Sequence, residues 1–324
     1  MRCSLLSVRF YIILNKHAGS GQAGTLWPQI RQRLVAAQVQ YEVVVSEYAQ
    51  HAVLLSEQFA KRLPDKPRQN WVVLALGGDG TLHEVLNGLS SQHRDYPIPV
   101  TYLPIGSGND FARGAGLSLN WEKALDQVIQ CTHATNYDIG TYNETIKKER
   151  GVFTNNLGIG FDAAIIAQAN QSRSKVWLNR HHLGSLSYLA SALSVYYNQS
   201  GFTLTVHVGN KRDIYPNAFL VTTTNHPYFG GGVGIAPDAN LKDHRLHLVV
   251  IEKPNFFKLL WLAMRLVFKK HLTSKSVHYY QAEKLHLTVP AIEYGQLDGE
   301  EMGGRFFDVY AGLTSYPFWF DTTI

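Results

Sequence analysis

Two cysteines, Cys3 and Cys131, are all that the 324 residues contain, and neither stands in a paired or metal-ligand spacing. Nothing in them implies a disulfide framework or a zinc site, and a reducing compartment fits such a chain. Long apolar runs are also missing. The nearest is "FFKLLWLAMRLVF", which Lys258 and Arg265 interrupt, whereas a membrane span needs about 18 uninterrupted apolar residues. The N-terminal "MRCSLLSVRFYIILN" is broken by Arg9 and followed by no small-residue cleavage site, so it reads as a first β-strand rather than a leader. A soluble protein is expected. No glycine is followed by Lys and then Ser or Thr, which removes a Walker-type phosphate loop, and no internal repeat or low-complexity tract occurs.

What is present is apolar content of 45%, ample for one large or two medium domains, of which two are favoured. A formal charge of +5 and a sequence pI near 9.0 point to anionic partners such as nucleotides, lipid head groups or nucleic acid.

The texture changes along the chain. Apolar strands at about 8–14, 41–45, 71–76 and 100–105 alternate with helical patterns, the signature of a parallel sheet with crossover helices. From about 136 onward come short alternating segments, "FTLTVHV", "AFLVTTT", "LHLVVI" and "KLHLTV", read as antiparallel strands with one solvated face. Helices are expected at about 183–198 and 255–270, and "TIKKER" (145–150) reads as an exposed hairpin tip. The final "RFFDVYAGL" is a strand that periodicity assigns to neither half.

Two glycine turns carry the chemistry. "LALGGDGTLHEVLNGL" runs from a buried strand through glycines into a helix marked by Leu82, Val85, Leu86 and Leu89, with Thr81 and Glu84 in capping-box spacing. "VTYLPIGSGNDFARG" repeats the strand, glycine loop and helix. Both loops lie at the carboxyl ends of a parallel sheet, where open α/β folds bind ligands, and exposed amides at a helix start attract phosphate. A carboxylate beside phosphates is repulsive unless a cation or donor network intervenes. Asp79, Asp110 and Asp138 are therefore candidates for a magnesium network, although aspartates also cap turns and helices. "GSGQAG" matches the dinucleotide spacing, with Gly19, Gly21, Gly24 and a later Glu47, and keeps an NAD-linked oxidoreductase as the alternative.

Taken in order, "GGDGTLHEVLNGL", "LPIGSGNDFARG", "NNLGIGFDA", "NHPYFGGGVGIAPDA" and "LDGE" resemble the bacterial soluble diacylglycerol kinase family over nearly the whole chain. The resemblance implies an α/β ATP-binding kinase domain over 1–135, with about 305–324 returning to it, and a β-rich, sandwich-like substrate domain over 136–304, with ATP in the cleft between them. It implies ATP contacts from Asn15, Lys16, His17, Ala18, Gly19, Ser46, Gly78, Asp79, Gly80, Thr81, Leu82, His83, Glu84 and Ser107. Magnesium would be held through water by Asp79, Asp110 and Asp138. A second, structural metal would sit at Asp243 with the backbone carbonyls of Asn240 and Arg245. The chain departs from the family at "NKHAGSG", where Asn-Pro is usual, at Ser46 and Gln50, where Thr and Gly are usual, and at His244, where glycine is usual.

Phosphoryl transfer also needs a carboxylate to accept the hydroxyl proton. Asp298 and Glu300 stand two apart and would share one face in extended backbone. Asp-Gly between strands is by itself a hairpin-turn signal; the resemblance makes the element the proton acceptor without saying which carboxylate serves. His226, beside the Gly230–Gly232 run, is left out of the catalytic set. A kinase that reaches a lipid must touch the bilayer, and two segments combine basic and large apolar residues. "NQSRSKVWLNRHH", with Arg173, Lys175 and Arg180 around Trp177, is the favoured docking segment, while the helix near 255–270 is read as core-packed with a basic end. The resulting expectation is an ATP- and magnesium-dependent kinase converting diacylglycerol, or another lipid alcohol, to its phosphate. It would be cytoplasmic and transiently peripheral to the inner face of an anionic membrane, with no nucleic-acid partner and a homodimer as the candidate assembly. A non-catalytic lipid-binding protein is the other class left open.

Overall fold

The computed structural model describes residues 8–66, 70–171 and 192–324. The chain divides into two units, one built of Met1–Ile139, Tyr228–Gly232 and Thr314–Ile324, the other of Gly140–Pro227 and Val233–Leu313. Sequence texture put the change at 135/136; the division falls at 139/140, inside a strand. The returning terminal segment starts at Thr314 rather than near 305.

In the first unit the elements alternate: β1 (Arg9–Leu14), α1 (Gln22–Ala36), β2 (Gln40–Val45), α2 (His51–Arg62), β3 (Trp71–Gly77), α3 (Asp79–Ser90), β4 (Val100–Pro104), α4 (Asp110–Ala115) and α5 (Trp121–Ile129). The strands are parallel in the order β2-β1-β3-β4. Every residue of β3, "WVVLALG", is buried, as expected of a central strand covered on both faces. The end of the chain completes this unit. Phe318 pairs in parallel with Val100, its ring stacking on Phe111 at 4.7 Å and meeting Tyr137 edge-on at 5.7 Å. Trp319 Nε1 donates to the Val128 carbonyl at 3.1 Å.

The remaining elements are β5 (Thr135–Glu144), β6 (Glu149–Phe153), β7 (Asn156–Gly160), α6 (Phe161–Gln171), β8 (Phe202–Val208), β9 (Lys211–Thr224), β10 (Tyr228–Phe229), β11 (Val233–Gly234), β12 (Leu246–Glu252), α7 (Phe256–Val267), β13 (Val277–Ala282), β14 (Leu285–Leu297) and β15 (Glu300–Phe318). In the second unit β9 and β14 are long, and each pairs with two different strands along its length. β8 pairs with the first halves of both, and β7 with their second halves, so the four strands enclose a core that includes Leu204, Val206, Leu248, Leu287 and Phe307. The change of partner coincides with proline. Pro216 lies in the register shift of β9 and Pro290 in that of β14, where a residue without an N–H removes no ladder bond.

Three expectations are corrected here. "AFLVTTT" has no solvated face, because all of residues 218–224 are buried as the second half of β9. Thr81 and Glu84 form no capping box: α3 begins at Asp79 behind an N-cap Gly78 that makes no side-chain bond. Glu84 instead accepts from the Gln50 and Ala52 amides, both at 3.0 Å, and so caps α2. The helix near 255–270 is α7, but only Leu262 in it is buried, so it is not core-packed. Residues 145–148 are the turn between β5 and β6, whose ends pair Glu144 with Glu149. Of the helix expected at 183–198, the described part, 192–198, is helical. Arg173, Lys175, Trp177 and Arg180 lie outside the described residues.

Candidate active site

In the first unit the loops after β1, β3 and β4 emerge from the carboxyl edge of the sheet and pack on one another. Asn15 Nδ2 donates to Thr81 Oγ1 at 3.2 Å, and Asn15 Oδ1 receives the His17 amide at 3.1 Å. Gly19 adopts φ 59, and a Cβ there would stand 2.4 Å from the Ile105 carbonyl. The glycine turns meet backbone to backbone: a Cβ on Gly106 would lie 2.5 Å from Gly78 Cα, so neither position accepts a side chain. Asn109 locks the second turn, its Oδ1 receiving the Gly106 amide at 3.0 Å and its Nδ2 donating to the carbonyls of Pro104 and Gly106. Of the helices that start here, α1 and α3 begin behind glycine N-caps that supply no side-chain bond. Their first-turn dipoles face the loop edge, which suits phosphate.

Asp79 owes its place among glycines to α4. Its Oδ2 receives the Asp110 amide at 2.9 Å and its Oδ1 the Phe111 amide at 3.4 Å. Tyr102 supports the same turn by accepting the Ala112 amide at 2.7 Å, with its hydroxyl 3.5 Å from Asp79 Oδ1. Burial, reinforced by the Asp79 charge, pushes the Tyr102 hydroxyl well above its usual range. Asp110 Oδ2 receives the Gly231 amide at 2.8 Å, while its buried Oδ1 has no hydrogen bond and only the Arg113 guanidinium at 3.8 Å. Burial raises the Asp110 carboxyl, and the glycine amides and Arg113 offset part of that. Both carboxylates flank Gly108, where a Cβ would stand 3.2 Å from Asp79 Oδ2 and 3.9 Å from Asp110 Oδ2. Two carboxylates beside an open backbone position, one with a buried oxygen that accepts no hydrogen bond, fit a hydrated divalent cation.

In the second unit "LDGE" is a two-residue hairpin turn. Leu297 pairs with Glu300, and Asp298 and Gly299 have φ 51 and 87, a type I′ geometry. The alternation that would put Asp298 and Glu300 on one face therefore does not operate. Asp298 is buried and saturated: Oδ2 receives Thr154 N at 2.7 Å and Thr154 Oγ1 at 3.0 Å, and Oδ1 receives Asn155 N at 2.7 Å and Asn156 N at 3.0 Å. Those four bonds use the four lone-pair sites of a carboxylate. Glu300, two residues on, is half-buried.

Residues 9–142 match the diacylglycerol kinase catalytic domain, and residues 155–308 match the YegS C-terminal NAD kinase beta sandwich-like domain. The chain belongs to the diacylglycerol kinase family. The Bacillus subtilis protein YtlR, named as a candidate lipid kinase, is 28% identical over 91% of this chain and 94% of its own length. A Bacillus subtilis diacylglycerol kinase is 28% identical over 74% of this chain and 75% of its own. A solved Bacillus anthracis structure, described as a candidate diacylglycerol kinase, shares the fold with TM-score 0.75 over 99% of this chain and 98% of that one, at 19% identity.

Within this kinase family member, the residues expected at the nucleotide do not all present themselves alike. Lys16, His17 and Ser107 are exposed, and Ala18, Gly19, Gly78 and Gly80 are half-buried in the loops. Ser46 is buried at the end of β2, its amide on the Leu14 carbonyl. The Leu82 side chain is wholly buried, and its amide is spent on the Gly78 carbonyl at 3.1 Å. His83 is likewise buried, with Nε2 3.3 Å from Asn87 Nδ2. Asp138 is buried on β5. Among the described residues no group of three or more His, Cys, Asp or Glu stands ready as direct metal ligands.

The Asp243 loop is closed by its own donors. Asp243 receives the Asn240 amide at 3.2 Å, the Arg245 amide at 2.9 Å and His247 Nε2 at 2.9 Å, and the Asn240 carbonyl takes the Asp243 amide. His244 adopts φ 57, the left-handed backbone that a glycine takes without strain and that explains the usual residue there.

Several residues of these two sites have no role assigned to them by the sequence. Tyr102 acts through its hydroxyl, Thr154 through its amide and hydroxyl, and Asn155 through its amide, each supplied from a neighbouring strand or loop. Asp162 is wholly buried, receives Gln296 Nε2 at 3.0 Å, and has its carboxyl pushed up to about 6 by burial. Gln296 Oε1 in turn receives the Gly299 amide at 2.9 Å, which ties Asp162 to the hairpin turn. His226 Nε2 stands 2.9 Å from Asn155 Oδ1, and burial holds its imidazole down to about 4, so the ring is neutral.

Proposed function

We propose that this protein is an ATP-dependent lipid kinase that phosphorylates the hydroxyl of diacylglycerol to give phosphatidic acid. The observation that carries the reading is the meeting of two glycine turns at the carboxyl edge of the parallel sheet, with Asp79 and Asp110 flanking Gly108. The loops at Asn15–Gly19, Gly78–Thr81 and Ser107 bind the nucleotide phosphates through amides, hydroxyls and the Lys16 ammonium. Asp79 and Asp110 would hold a magnesium ion, which would neutralise charge on the phosphates. The lipid hydroxyl oxygen forms the new bond to the γ-phosphorus as the bond to the departing ADP breaks, and a carboxylate takes the hydroxyl proton.

Glu300 is that acceptor in this reading. Asp298, with four donors on its two oxygens, would have to surrender one of them to take a proton; it positions the turn instead. The test is transfer of radiolabelled γ-phosphate to diacylglycerol in mixed micelles with anionic lipid and magnesium. Glu300→Gln should cut kcat by about a hundredfold or more with an unchanged melting temperature, whereas Asp298→Asn should lower the melting temperature as well. Label appearing only on another lipid alcohol would change the acceptor, and label on no lipid would remove the kinase reading. Full activity in Glu300→Gln would return the role to Asp298.

A further inference from the structure

Helix α7 is apolar on two opposite sides. Its inner side supplies Leu262 to the fold, and Phe256 lies against the rings of Tyr196 and Tyr197, with centroids 6.0 and 6.2 Å away. At about 100° per residue, the outer side aligns Phe257, Leu260, Trp261, Met264, Val267 and Phe268 into one stripe, and all six are exposed. Phe257 is 82% exposed, Val267 78% and Phe268 67%. A contiguous stripe of this kind is far from the scattered exposed leucines of ordinary surfaces.

Charge says what covers it. Between Glu252 and Glu283 the chain has no acidic residue, yet Lys253, Lys258, Arg265, Lys269, Lys270 and Lys275 all fall there. Lys258 and Arg265 lie along one flank of the stripe, and Lys269 and Lys270 follow its end. Arg265 also bonds the Lys270 carbonyl at 2.7 Å and stacks 4.7 Å from the Trp261 ring, which fixes the end of the helix and sets a cation directly against the stripe. A second copy of the chain seated by two-fold symmetry would bring one such basic patch against another, with no acidic residue between Glu252 and Glu283 to offset it. An anionic bilayer instead takes the apolar stripe among its acyl chains and the lysines among its head groups, the pattern of an interfacial helix.

We propose that the outer face of α7 is the membrane-docking surface of this protein and that its partner is a bilayer rich in anionic lipid. The proposal rests on the lipid-kinase reading for its purpose, but docking is measured apart from turnover. The experiment is flotation of the full chain, without ATP or diacylglycerol, on vesicles of phosphatidylcholine alone or mixed equally with phosphatidylglycerol, at low and high salt. The chain should float with the anionic vesicles, less so in high salt. Phe257→Ser/Val267→Ser should weaken this about tenfold or more, with melting temperature and ATP binding unchanged. Lys269→Glu/Lys270→Glu should weaken it on anionic vesicles only.

Equal flotation of Phe257→Ser/Val267→Ser and the parent chain overturns the proposal, as does failure of the parent to bind anionic vesicles at low salt. A dimer in sedimentation velocity that Phe257→Ser/Val267→Ser dissociates overturns it too, by making the stripe a self-interface. Docking without phosphoryl transfer leaves this surface standing and sinks the kinase; transfer from micelles without docking does the reverse.

Discussion

Asp162 and His226 are both wholly buried and pull stability in opposite directions as pH changes. The Asp162 carboxyl is raised from 3.8 to about 6, so the folded chain holds a proton that the unfolded chain releases, and stability falls as pH rises from about 4 to about 6. His226 is lowered from 6.5 to about 4, so the unfolded chain binds the proton first and stability is lost as pH falls through the same window. Asp162→Asn leaves His226 unopposed. Its urea-derived stability relative to the parent chain should be about 3 kcal/mol better at pH 7 than at pH 4, from about two pKa units at 1.36 kcal/mol each; a constant difference would contradict the buried-charge account. At the glycine turns, Gly106→Ala forces a Cβ to 2.5 Å from Gly78 Cα and 2.8 Å from Asn109 Oδ1. A cost of about 1–3 kcal/mol and at least tenfold weaker ATP binding by calorimetry are expected. The glycines and aspartates were visible in the sequence because their spacing carries the information. The job of Asp79 was not, since its amide partners belong to a helix 31 residues downstream. Asp298 was visible as a turn residue, but its four donors come from a strand end no local pattern connects to it.

At the scale of elements, hydrophobic period located the parallel strands almost to the residue, because a central strand covered on both faces must be apolar throughout. It misjudged β9 and β14. The pattern shows each as a short alternating piece, whereas each continues past a proline to a second pairing partner; Pro216 and Pro290 mark the register shifts. The same limit applies to Glu84. Its spacing from Thr81 imitates a cap for its own helix, but the carboxylate serves the start of α2. Glu84→Ala should lower stability by about 1–2 kcal/mol in urea unfolding while KM for ATP shifts by less than about twofold. A large rise in KM would instead make Glu84 a nucleotide contact, as the family resemblance implies.

For the whole molecule, the first unit depends on the last residues of the chain. Phe318 is wholly buried, paired with Val100 and packed on Phe111 and Tyr137. Phe318→Ala should cost about 3–5 kcal/mol and weaken ATP binding although no nucleotide loop is touched; thermal unfolding with and without ATP measures both. Periodicity alone could not place this strand, because the alternation of buried and less buried residues along β15 would suit either unit. The three-segment build of the first unit has a consequence for how the protein is made. A ribosome finishes every residue of the second unit, through Leu313, before it delivers Thr314–Ile324. The first unit therefore closes after the second has been made, and a nascent chain stalled short of Thr314 would display the phosphate-loop motifs without a completed sheet to hold them.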